Sequence, residues 1–192
     1  ERKFGSKVSD IIGGLTKISV VFETVDADAS IQAENFKKML LTLGEDLRVI
    51  LIKLCDRLHN MRTLGSVPDK TKLKIASETM FIYAPLAHRL GLNAIKTEME
   101  DLALKYTDPV TYRFISDKIS ETKQSRQRYI REFIEPIRNE LQHSGLEIKE
   151  IKGRPKSIFS IHRKMQQQDI PFEEVYDGFA IRIILQTDIY SE

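Results

Sequence analysis

The chain has 192 residues, 41% of them apolar and 30% charged, with 30 Lys and Arg against 28 Asp and Glu. That length holds one ordinary domain or parts of two, and a net charge of +2 excludes anion binding by bulk attraction, so such binding must come from a local cluster. A single cysteine, Cys55, excludes a disulfide framework and a multi-cysteine zinc site and fits a reducing compartment, and no uncharged apolar run approaches the ~20 residues of a membrane span.

Glu1-Arg2-Lys3 leads directly into mixed sequence with no signal-peptide pattern. The pattern starts and stops in mid-course, so the chain reads as a piece of something longer. Apolar spacing predicts a helix from about Phe4 to Ile18, weakened by Gly13-Gly14, then an acidic loop from Glu23 to Ser30. A second helix is expected from Ile31 to Leu43. In the third, Leu47, Ile50, Leu51, Leu54, Leu58 and Met61 form one core stripe that stops by Gly65. Asp69 is placed to cap a fourth helix from about Lys70. Pro85 must kink or break it, because proline lacks the N–H and clashes with the preceding turn. Gly91 then reads as a stop and Asn93 as the next cap, for a helix from Ala94 to Tyr106. Asp108-Pro109 opens a long helix ending at His143-Ser144-Gly145 and interrupted at Pro136. After Gly145 the period changes. Leu146, Ile148 and Ile151 read as a strand, Ser157 to Gln167 as a short helix, and Phe179 to Leu185 as a buried strand. An all-α region therefore precedes the start of an α/β region.

Three clusters carry chemistry. On the third helix Asp56 and Asn60 share a face one turn apart, Thr63 follows on the same side, and Ile52 precedes them. A carboxylate beside apolar surface needs a partner or a divalent cation; the plain alternative is a solvated ion pair, with His59 a surface or packing histidine. The second cluster follows Gly153. Lys156, Ser160 and Lys164 fall in one row, Ile158, Ile161 and Met165 in another, and Arg154 precedes them on a loop set by Gly153 and Pro155. A cationic row beside a helix N-terminus suits a polyphosphate, with Arg as a planar fork and Lys as a mobile charge; a solvated basic helix is the alternative. In the third, Asp177 stands at the entrance of the last strand, where a carboxylate can hold Mg²⁺ against phosphates or simply form an Asp-Gly turn.

These segments occur together and in this order in the long RelA/SpoT family of (p)ppGpp synthetase/hydrolases of the stringent response, which the chain strongly resembles. Lys53 to Leu64 matches K-L-x-D-R-L-H-N-M-R-T-L, Tyr83 to Gly91 matches Y-A-P-L-A-x-R-L-G, and Gly153 to Met165 matches G-R-P-K-x-[IV]-[FY]-S-I-x-[RK]-K-M. Gly14 to Ile18 and Tyr176 to Ile183 resemble two further family segments. The resemblance implies an α+β chain. Residues 1–107 would be the C-terminal part of an HD-type (p)ppGpp hydrolase domain with its helical connector. Residues 108–192 would begin an α/β, nucleotidyltransferase-like synthetase domain. It further implies Asp56 as the last Mn²⁺ ligand of a hydrolase site, with Asn60 and Thr63 approaching the nucleotide. The family's other ligands, a His and a His-Asp pair, would lie upstream of Glu1. The intact Asp-Arg-Leu-His-Asn segment favours a hydrolase-capable parent. In the synthetase domain, pyrophosphate moves from ATP to the 3′-OH of GTP or GDP. There Arg154, Lys156 and Lys164 would contact ATP phosphates, Ser160 would line the site, and Asp177 would hold Mg²⁺. The implied partners are ATP, GDP, GTP, ppGpp and pppGpp, with ribosome contact through other regions, no membrane and no direct DNA. The implied location is cytoplasmic. The chain alone is expected to complete neither site and to turn over neither reaction. The rival reading is a non-catalytic nucleotide-sensing or signal-transmitting module.

Overall fold

The computed structural model describes residues 3–23, 46–175 and 179–186. The expected loop beyond Glu23, the helix over 31–43 and Asp177 fall outside those residues. The chain divides into two compact units, Glu1–Thr107 and Asp108–Glu192.

In the first unit, α1 (Ser6–Glu23) runs through Gly13-Gly14 and past its expected end. Gly14 is where it meets α2 (Leu47–Thr63): a Cβ there would stand 2.8 Å from Val49 Cγ2. The Asp46 carboxylate caps α2 by accepting from the Arg48 N–H at 2.9 Å. Val49, Ile50, Leu54, Leu58 and Met61 are buried, while Leu47 and Leu51 stand 50% and 38% exposed. The expected stripe is corrected at these two leucines, because α1 covers the first turns from the Val49 side.

A 3-10 turn (Leu64–Ser66) leads to α3 (Asp69–Glu78). Pro68, not Asp69, takes the cap position; Asp69 opens the helix and accepts from Lys72 Nζ at 2.9 Å. The helix then widens into a π turn (Thr79–Tyr83), in which the Ala84 N–H donates five residues back to the Thr79 carbonyl, and continues as α4 (Ala84–Arg89). Pro85 therefore does not break the path. The wide turn accommodates its ring and its missing donor. Gly91, at φ +73°, stops α4 as expected, with the Leu92 N–H donating to the Ala87 carbonyl at 2.8 Å. Asn93 opens α5 (Asn93–Thr107) and its amide donates back to the Gly91 carbonyl at 3.3 Å. Ile50, Leu54, Ile82, Leu86 and Met99 are fully buried at the centre of this unit. Each such side chain contributes roughly 1.5–3 kcal/mol by leaving water.

In the second unit, Asp108 caps α6 (Pro109–Glu121) by accepting from the Thr111 N–H at 3.0 Å. The single long helix expected here is two helices. The break falls at Thr122, whose hydroxyl donates to the Lys118 carbonyl at 2.8 Å, and α7 (Lys123–His143) then runs through Pro136. Pro136 and Glu132, whose carbonyl loses its partner, are both exposed, so the lost bond falls on the side of the helix that solvent reaches. Gly145, at φ +72°, reverses the chain.

Two antiparallel strands follow, β1 (Ile148–Pro155) and β2 (Phe179–Leu185), with Lys152 opposite Arg182, Gly153 opposite Ile181 and Arg154 opposite Ala180. Paired residues share a face. One face carries Ile151, Gly153, Pro155, Phe179, Ile181 and Ile183 and packs on α7, where the Phe179 ring lies 5.6 Å from Tyr129 and 6.0 Å from Phe133. The other carries Glu150, Lys152, Arg154, Ala180, Arg182 and Ile184. The expectation of a buried last strand is corrected: among the described residues only β1 pairs with β2, and Ile183 and Ile184 stand 39% and 38% exposed. Between the strands lies α8 (Ile158–Gln168), closed by Asp169 in the left-handed conformation at φ 52°. Ile161 is buried while Ile158 and Met165 are half-buried, giving the apolar face that the spacing predicts.

Candidate functional site

The outer face of α2 is set by helical periodicity. With Ile50, Leu54, Leu58 and Met61 turned inward, Asp56, Asn60 and Thr63 must turn outward, and all three are exposed. Asp56 does not lie in an apolar pocket. Its side chain is 53% exposed, Ile52 before it is 42% exposed, and Lys53 Nζ stands 3.8 Å from Oδ2. The desolvation argument for a bound cation therefore fails among the described residues, and what remains is an outward, weakly held hard-oxygen donor. Such a group fits a divalent cation as one ligand. Among the described residues no group of three or more His, Cys, Asp and Glu could hold a metal ion. The Thr63 hydroxyl donates to the His59 and Asn60 carbonyls at 3.1 and 3.3 Å, leaving its oxygen able to accept. His59 is exposed, as a surface histidine would be.

The inner side of α2 carries a group that local spacing does not reveal. Arg57 lies over the Tyr83 ring, 4.1 Å from its centroid, and its Nη2 donates to Tyr83 Oη at 3.1 Å and to Glu78 Oε2 at 3.0 Å. Burial pushes the Tyr83 phenol up, against the pull of the Arg57 charge. Near the end of α2, Arg62 makes a bidentate pair with Glu98 of α5, at 2.6 and 2.8 Å, which holds the Glu98 carboxyl below its ordinary value. These partners lie 21 to 36 residues away along the chain, so no short pattern announces them.

In the second unit Arg154 lies in strand β1, not on a loop, and Lys156 lies in the link before α8. Only Ser160 and Lys164 therefore share a helical row. The helix starts at Ile158 because Ser157 takes the cap: its hydroxyl accepts from the Ser160 N–H at 3.2 Å and donates to the Ser160 hydroxyl at 2.8 Å. The Ser160 oxygen is thus partly engaged in the cap. The outer hairpin face brings Lys152, Arg154 and Arg182 together beside a groove of about 750 Å³, with Glu150 paired to Lys152. Local sequence spacing does not single out Lys152 and Arg182. Period-two alternation on two paired strands would have found them once the register was known. Such a surface can bind an anion through charge-assisted hydrogen bonds, with the arginines supplying planar forks.

Comparison with known proteins decides the family. Residues 1–93 match the HD domain model, and residues 153–191 match the model described as a region found in RelA / SpoT proteins. The chain belongs to the RelA/SpoT family. It is 43% identical over 189 residues to a Myxococcus xanthus protein named GTP pyrophosphokinase, covering 96% of this chain and 24% of that relative. It is 41% identical over 187 residues to a Synechocystis protein named probable guanosine-3′,5′-bis(diphosphate) 3′-pyrophosphohydrolase, covering 97% and 24%. It is also 41% identical over 186 residues to an Escherichia coli protein named bifunctional (p)ppGpp synthase/hydrolase SpoT, covering 96% and 26%. This RelA/SpoT chain thus spans about a quarter of the length of these curated relatives. Among the described residues no helix is long and apolar enough to cross a membrane.

Proposed function

We propose that this chain contributes to a bifunctional enzyme that hydrolyses (p)ppGpp to GDP or GTP and pyrophosphate, and that transfers pyrophosphate from ATP to the 3′-OH of GTP or GDP. One observation carries the reading. Two sets of residues of different chemistry, an outward Asp56 with Asn60 and Thr63 on α2 and a cationic hairpin face with α8, sit in two compact units. The relatives carry names for both reactions.

On the hydrolase side Asp56 is one Mn²⁺ ligand, the rest of the set being completed elsewhere in the protein. A divalent ion there supplies positive charge and an activated water. Asn60 donates to the nucleotide, and the Thr63 oxygen, its own hydrogen already given to the helix, accepts from it. On the synthetase side Arg154, Lys156 and Lys164 hold the donor phosphates, Ser160 lines the same site, and Asp177 is a Mg²⁺ ligand. Catalysis there is positioning and charge stabilisation of the transferred group. The reading carries with it a cytoplasmic protein that contacts guanine nucleotides and ATP, and the ribosome through parts outside this chain.

The test uses full-length protein and two assays, hydrolysis of ppGpp with Mn²⁺ and synthesis from ATP and GDP with Mg²⁺. Asp56→Asn should abolish hydrolysis and leave synthesis intact. Lys164→Ala should lower synthesis about tenfold to a hundredfold, the loss of one charge-assisted hydrogen bond of roughly 1.5–3 kcal/mol, and leave hydrolysis near parental. Two variants that fail in the same assay, or in neither, refute the assignment.

A further inference from the structure

Glu78 and Tyr83 are five residues apart. In a regular α-helix five residues turn through about 500°, which leaves such a pair roughly 140° apart around the axis and unable to share a partner. Here both hold one guanidinium, Arg57 Nη2 reaching Glu78 at 3.0 Å and Tyr83 Oη at 3.1 Å. The π turn (Thr79–Tyr83) makes this possible, because a turn closed by i→i+5 bonds returns residues five apart to the same side. The fork is well shielded: side-chain exposure is 13% for Arg57 and 17% for Glu78, and Tyr83 is buried. The Nη1 group adds a contact to the Ile75 carbonyl at 3.5 Å. A planar guanidinium held by a carboxylate, a phenol and a ring face has little freedom to rotate.

Arg57 directly follows Asp56. A helix cannot turn one residue without turning its neighbour, so whatever fixes Arg57 on the inner side fixes the direction in which Asp56, Asn60 and Thr63 point on the outer side. Among the described residues the ion pair of Asp56 is with Lys53 at 3.8 Å, too long to fix its direction independently. We infer that Arg57, clasped by Glu78 and Tyr83 across the π turn, is a positioning residue that sets the angle of α2 and thereby aims Asp56 at its cation. This rests on the proposed metal-ligand role of Asp56. Arg57 touches neither cation nor substrate; it acts through the helix.

The experiment measures Mn²⁺ binding to the full-length protein by calorimetry, alongside the Mn²⁺ concentration that half-saturates ppGpp hydrolysis, in Tyr83→Phe, Arg57→Lys and Asp56→Ala. Tyr83→Phe keeps the ring and removes one hydrogen bond; Arg57→Lys keeps the charge and removes the fork. Partners that orient a ligand typically change metal affinity about 10- to 100-fold. Both variants are expected to weaken Mn²⁺ binding about tenfold, to recover hydrolysis when Mn²⁺ is raised, and to keep parental synthesis. Parental Mn²⁺ affinity in both overturns the inference. A loss of hydrolysis that no Mn²⁺ restores, with a lowered melting temperature, also overturns it, because Arg57 would then be a structural pillar alone. Asp56→Ala reads out the underlying assignment separately: if it binds Mn²⁺ as the parent does, the metal-ligand role fails and the inference falls with it.

Discussion

At Gly153 strand β1 passes close against Ile130 of helix α7. A Cβ placed on it would collide with Ile130 Cγ2 and would also stand 3.4 Å from Ile130 Cβ and 3.5 Å from its Cδ1. Ile130 is β-branched and stiff at χ1, so it cannot swing aside within the helix. Gly153 has an ordinary negative-side backbone, so alanine adds no dihedral strain. Overpacking of this kind costs about 1–3 kcal/mol, and the reduced freedom of the unfolded chain returns about 0.4–1 kcal/mol. Gly153→Ala should therefore destabilise the second unit by about 1–2 kcal/mol, read by urea denaturation followed by circular dichroism. It should also lower synthesis, because Arg154 is the next residue on the strand. The decisive step is the double-mutant cycle. In an Ile130→Ala background the obstructing methyl is gone, and the added Gly153→Ala should cost close to nothing. If Gly153→Ala is as stable as the parent, or costs the same in both backgrounds, the close approach is not what fixes glycine here.

Three further outcomes follow from the same geometry. Arg154→Lys should impair synthesis about as much as Arg154→Ala if the contact is a planar fork, and steady-state kinetics in which lysine restores parental rates would contradict this. Lys156→Gln should raise the KM for ATP and leave that for GDP unchanged, measured with each substrate varied in turn; equal shifts in both would place Lys156 away from the donor phosphates. Asp108 is held below the ordinary carboxylate range first by its hydrogen bond from Thr111. Because its folded value is depressed, its stabilisation is present above the unfolded value and is lost as pH falls through the folded one. Asp108→Ala should cost about 1 kcal/mol near neutral pH, and Asp108→Asn, an uncharged cap, should keep most of the stability while removing this acid-side loss.

The sequence was most legible where a local rule acts alone. Gly91 and Gly145 stop helices because they supply positive φ, Asp108 opens one because its side chain reaches back to an N–H, and β-branched runs mark the strands. It was least legible where tertiary packing overrides a local rule. Pro136 looks like a break, yet α7 passes through it at an exposed position, while Thr122, which carries no such signal, ends α6 by bonding its hydroxyl to the preceding turn. Pro85 looks like a kink and is absorbed by a wide turn instead. In the candidate site, the outward direction of Asp56, Asn60 and Thr63 followed from period and core alone. The common row for Lys156, Ser160 and Lys164 did not survive, because the helix capped by Ser157 begins at Ile158, two residues after Lys156. Arg57, Lys152 and Arg182 remained hidden, since their significance depends on partners across the fold.

The hairpin register also divides the chain into places that can and cannot change length. Side chains alternate without interruption from Glu150 to Pro155, so one residue gained or lost between Lys152 and Pro155 would put the β1 residues on one side of the change onto the opposite face. Against an unchanged β2, Lys152 and Pro155 could then no longer hold the outer and inner faces that match Arg182 and Phe179. At the other end the ladder already carries an irregularity between Ile148 and Glu150, where a residue is accommodated without disturbing the pairs beyond it. Homologous chains should therefore vary in length around residues 146–149 and hold constant length from Glu150 to the cap of α8, so that the position of the charge is inherited through spacing as much as through residue identity.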